Sequence, residues 1–64
     1  MSETVKIWLI RLYEKEINES KAAISNEHIW ELGYNGEEPN PHTNNICDIQ
    51  EYISVLEEKI RELQ

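Results

Sequence analysis

The 64-residue chain has one cysteine, Cys47, and only two histidines, His28 and His42. A lone thiol closes no disulfide within the chain, and one Cys with two His makes a structural zinc site a poor expectation. Basic residues are scarce as well: six Lys and Arg stand against thirteen Asp and Glu, for a formal net charge of −7. That balance disfavours direct nucleic-acid binding through a phosphate-contacting basic face. Long hydrophobic runs are missing. The N-terminal segment MSETVKIWLIRLYEKE is broken by Lys6 and Arg11, so it has neither a signal-peptide core nor a membrane span, and a soluble, cytoplasmic protein with no membrane partner is expected. No CxxC, HExxH or paired ExxH motif occurs, nor a phosphate-binding glycine loop or a Ser/His/Asp arrangement with a scaffold to hold it. The chain is therefore expected to be no enzyme and to carry no cofactor.

What is present is a seam. Ile46, Ile49, Ile53, Leu56, Ile60 and Leu63 follow one another at spacings of 3, 4, 3, 4 and 3, the a/d pattern of a coiled-coil helix that needs a partner. Upstream, residues 2–32 contain neither Gly nor Pro. Ile10, Ile17 and Ile24 recur every seven residues there, with Val5, Leu9, Leu12, Tyr13, Ala23 and Trp30 widening the stripe. Helix 1 is thus expected over about 2–32, with Ser2 as N-cap and Gly33 just past its end. Glu16, Ser20 and Glu27 fall on or beside the stripe, and Ser25-Asn26 is a place where the helix can kink. The connector 33–41, GYNGEEPNP, holds both glycines and both prolines. Its Asn35-Gly36 favours a tight turn with positive φ, and Asn40-Pro41 is an N-cap followed by proline at N1. Helix 2 is expected over about 41–63.

No strand pattern, repeat or low-complexity tract is visible, so the fold class is all-α, a single domain spanning 1–64. Two amphipathic helices joined by so short a connector form an antiparallel hairpin most simply. At ~1.5 Å per residue, helix 1 is about 45 Å long and helix 2 about 34 Å, so helix 1 overhangs by ~10 Å. With Leu32 beside His42, the overhang holds Val5, Ile7, Trp8 and Leu9, which their own chain leaves uncovered. Burying such side chains stabilises by ~1.5–3 kcal/mol each, and a chain this short has a marginal core alone. A homodimer, two hairpins packed as a dimeric four-helix bundle, meets both needs. A parallel contact between copies of helix 2 is the lesser alternative.

The expected interface residues are accordingly Val5, Ile7, Trp8, Leu9 and Leu12 with Ile46, Ile49, Ile53, Leu56, Ile60 and Leu63. Trp8, off the main stripe and in the overhang, is the best interface anchor, for a second copy or a foreign protein; Tyr13, Trp30 and Tyr52 are expected to serve core and dimer packing. Tyr34, Glu37 and Glu38 give the connector a recognition surface. His28, Glu31, His42 and Cys47 gather at the loop end and make a weak metal-binding constellation.

Charge points to a second function. Residues 1–26 cancel, whereas 27–64 hold nine acids against Lys59 and Arg61. An acidic decoy for the basic groove of a nucleic-acid-binding protein, using Glu37, Glu38, Glu51, Glu57, Glu58 and Glu62, is the alternative to a small acidic interaction module that acts as adaptor, inhibitor or assembly factor.

Overall fold

The computed structural model describes all of residues 1–64. It contains two α-helices, α1 (Glu3–Leu32) and α2 (Pro41–Leu63), and no strand. Each start is fixed by a side chain that accepts an orphan backbone N–H. Ser2 Oγ accepts from Val5 N at 3.1 Å, and Asn40 Oδ1 accepts from His42 N at 3.0 Å ahead of Pro41 at N1. The helices run antiparallel. Moving along α2, Thr43 Oγ1 donates to Glu31, Asn45 Nδ2 to Glu27 and Tyr52 Oη to Glu16, so contacts on α1 retreat toward its N-terminus.

The seam of α2 packs inward, and Ile46, Ile53 and Leu56 are buried. On α1 the inward positions are Ile10, Tyr13, Ile17, Ser20, Ile24, Glu27 and Glu31, spaced 3, 4, 3, 4, 3 and 4, all buried or half-buried. This seam changes character along its length. Toward the open end it is apolar, with Ile17, Ile53 and Leu56 at the centre and Tyr13, Ile24, Ile49 and Ile60 packed around them. Toward the loop it is polar, with Glu27 and Glu31 occupying the positions that continue the isoleucine pattern.

Three points raised by the sequence are answered. First, α1 is one continuous helix through Ser25, where the sequence leaves a kink open, and Ser25 Oγ donates back to Lys21 O at 3.4 Å, an interaction a helix interior accommodates. Second, no residue has positive φ. Gly33 ends α1 at φ −90°, ψ 0°, and Gly36 lies close under the Tyr34 ring, whose outer end would have to move to admit a Cβ there. Third, the overhang is shorter. Leu9 is half-buried, as is Leu63 at the end of α2, whereas Val5, Ile7 and Trp8 are exposed. The register explains the difference: Glu27 meets both His42 and Asn45, and Glu16 meets Tyr52, which carries α2 further toward the open end than Leu32 beside His42 implies.

Candidate protein interface

The hairpin is long and thin, 51 × 15 × 10 Å, with a Cα radius of gyration of 15.2 Å. A globular chain of this length has a radius near 11 Å. Two helices sharing one seam enclose little, and no side chain is completely removed from solvent.

The uncovered apolar side chains are not scattered. Each residue of an α-helix turns about 100°, which sets Val5, Trp8 and Leu12 together on one flank of α1, about 100° from its inward seam. Trp8 is 63% and Leu12 59% exposed. On α2, Tyr52 and Val55 are exposed as well, and Tyr52 lies on the same side of the hairpin, since Leu12, Tyr13, Glu16, Tyr52 and Leu56 line one groove between the helices. The groove on the opposite side is lined by Glu14, Ile17, Asn18, Lys21, Glu57 and Ile60 and is largely polar. Of the two grooves between the helices, one is mainly apolar and the other mainly polar. Ile7 lies on the other flank of α1, and Ile29, Trp30 and Leu32 are exposed near the loop.

Two polar contacts lie on the apolar side. Tyr52 Oη donates to Glu16 Oε1 at 3.1 Å, and Lys15 Nζ lies 4.0 Å from Glu19 Oε1. Desolvation against α1, followed by that bond to the Glu16 carboxylate, raises the Tyr52 phenol above its ordinary value near 10.

The loop end is a polar clasp. Glu27 Oε2 lies 2.7 Å from His42 Nδ1 and accepts from Asn45 Nδ2 at 3.3 Å. Asn40 Nδ2 donates to Glu31 O at 3.1 Å, and Glu31 also accepts from Thr43 Oγ1 and pairs with His28 Nδ1 at 3.3 Å. The Thr43 hydroxyl, then His28, hold the Glu31 carboxyl below the ordinary carboxylate range. Trp30 and Tyr34 lean on the His42 ring, with centroids 5.8 Å and 6.1 Å away.

Each candidate residue from the sequence can now be placed. Val5, Ile7, Trp8 and Leu12 present free surface; Leu9 is half covered. Ile46, Ile53 and Leu56 are buried, and Ile49, Ile60 and Leu63 half-buried, within the hairpin's own seam. Tyr13 packs against the core cluster, but Trp30 and Tyr52 are exposed, because the inward positions near them belong to Glu27, Glu31, Ile49 and Ile53. In the connector, Tyr34 Oη donates to Glu37 O at 2.8 Å and Glu38 Oε2 accepts from Asn40 N at 3.0 Å, so both side chains shape the loop itself. His28, Glu31, His42 and Cys47 are not assembled as one ligand set. His42 turns to Glu27, Cys47 is exposed, and no three such side chains converge on a point where an ion would sit. Val55, exposed on α2, was not singled out from the sequence, and it lies away from the α2 seam. No helix is long and apolar enough to cross a membrane. Compared with known proteins, the chain matches no family model, no curated protein and no solved structure.

Proposed function

We propose that the chain is a non-enzymatic protein-interaction module that works as a homo-oligomer, two hairpins packing as a four-helix bundle and offering the end of α1 to another protein. The observation that supports this most is the stretch of α1 from Val5 to Leu12, where Val5, Ile7, Trp8 and Leu12 are all exposed. Val5, Trp8 and Leu12 share one flank, and an exposed apolar group of this kind with a tryptophan at its centre is typical of a docking face. Ile7 and Trp8 point to different sides of the helix, so one neighbouring helix does not cover both, which leaves surface for a partner beyond the second copy. Light scattering and affinity capture with wild type and Trp8→Ala test this. An oligomer at micromolar concentration is expected, with Trp8→Ala losing association or a captured partner; a folded monomer that binds as well without Trp8 overturns it.

A second function is favoured by a separate observation. Asp48, Glu51, Glu58 and Glu62 are exposed, and their spacings of 3, 7 and 4 place them along the outer face of α2. An acidic decoy for a basic groove uses such a stripe. Salt separates the two: binding that collapses between low and high ionic strength supports the decoy, whereas apolar docking is nearly indifferent to it.

A further inference from the structure

The area left uncovered on the hairpin is large enough to indicate what covers it. A globular monomer of 7.6 kDa exposes about 4,300 Å², and this chain exposes 4900 Å². The excess, roughly 600 Å², approaches the ~800 Å² that each partner contributes to a stable interface of standard size. The two grooves between the helices differ in character. The apolar groove and its rim carry Leu12 and Tyr52, while the opposite groove carries Glu14, Lys21 and Glu57 and is suited to water. On the apolar side the Tyr52 hydroxyl donates to Glu16 and Lys15 faces Glu19, so these groups keep their partners when that side is covered.

We infer that the flank formed by Val5, Trp8, Leu12 and Tyr52 is the face on which a second copy of this chain docks, the two hairpins lying antiparallel about a two-fold axis that passes beside Leu12. The inference rests on the homo-oligomeric function proposed above and adds its face and orientation. A two-fold contact brings the same patch together from both copies, and Leu12 is the point at which α1 and α2 both contribute to this one. The charge pattern selects the orientation. Parallel hairpins set Glu16 against Glu16 and Glu19 against Glu19 in a chain of net charge −7, and like charges face to face oppose association. Antiparallel hairpins centred on Leu12 set Glu16 of one copy level with Trp8 of the other and Glu19 level with Val5, so that each acid meets an apolar neighbour at the rim with its own partner retained.

Single cysteines placed in a Cys47→Ser chain test this, with sedimentation of the wild type alongside. Under mild oxidation Leu12→Cys is expected to run at twice its mass, while Val5→Cys, whose two copies lie about 21 Å apart along the bundle, and Asn18→Cys on the polar side stay at single mass. Leu12→Glu, which changes an exposed position, is expected to keep its helicity and sediment as a monomer. Linking of Val5→Cys as readily as Leu12→Cys overturns the orientation. An oligomer that links only through Asn18→Cys, or survives Leu12→Glu intact, overturns the face and leaves the homo-oligomeric function standing. A folded wild-type monomer overturns both.

Discussion

Glu31 follows Ile10, Ile17 and Ile24 at the same interval of seven, yet it carries charge to the inward face of α1, where Thr43 and His28 hold its carboxyl low. The sign of the consequence is fixed by that direction. A carboxyl lowered on folding stabilises the folded form above its ordinary value of 4.5, and the stabilisation is lost as pH falls through the lowered folded value. An NMR pH titration should therefore give Glu31 a midpoint below the ordinary range, and Thr43→Ala should move it back up; a midpoint at or above 4.5 in the wild type contradicts the hydrogen bond. Leu56 is the opposite kind of residue, apolar and only 5% exposed. Leu56→Ala should cost about 2–3 kcal/mol in denaturant unfolding, whereas Leu12→Ala should weaken association and leave the helix content unchanged.

At the scale of the elements, much of the hairpin was legible in the sequence. The all-α class, the pairing of two helices and the inward seam of α2 follow from the periodicity, and Asn40-Pro41 marks the start of α2. The inward seam of α1 was harder to read, for a physical reason. Two apolar stripes run along this helix, one through Ile10, Ile17 and Ile24 and one through Val5, Trp8, Leu12 and Trp30, and a single-helix pattern merges them. Which stripe faces α2 is decided near the loop by contacts between polar residues, Glu27 with His42 and Asn45, and Glu31 with Thr43. Such residues are ordinarily assigned to the surface, and so Trp30, five turns from Leu12 on the same side, is expected in core and dimer packing instead of on the flank. The connector shows a similar difficulty. Glycine beside asparagine suggests positive φ, which no residue there adopts, and Gly36 instead lies close under the Tyr34 ring.

Those contacts make Asn40 more than a cap. It accepts from His42 N and its amide donates to Glu31 O, tying the start of α2 to the end of α1. Asn40→Ala should destabilise by about 1–2 kcal/mol, more than Ser2→Ala, whose cap lies at a free, exposed end. Equal losses in chemical denaturation would show that the tie to Glu31 contributes nothing. Gly36→Ala should displace the Tyr34 ring from the loop, seen as loss of the upfield shift that ring currents from Tyr34 and Trp30 give His42, with little change in helix content.

For the whole molecule, what matters is how little a lone hairpin encloses. Its radius of gyration is 15.2 Å where about 11 Å is usual, and its apolar flank carries Val5, Trp8 and Leu12 of α1 beside Tyr52 of α2. If a second copy completes the fold, unfolding is coupled to dissociation, so the thermal midpoint should rise with protein concentration. The most direct measurement is sedimentation equilibrium of the wild-type chain across the micromolar range, with circular dichroism on the same samples. Helical protein sedimenting at twice 7.6 kDa, and falling to single mass only on dilution, is the predicted result. A helical species that stays at 7.6 kDa throughout, with a thermal midpoint independent of concentration, would contradict it.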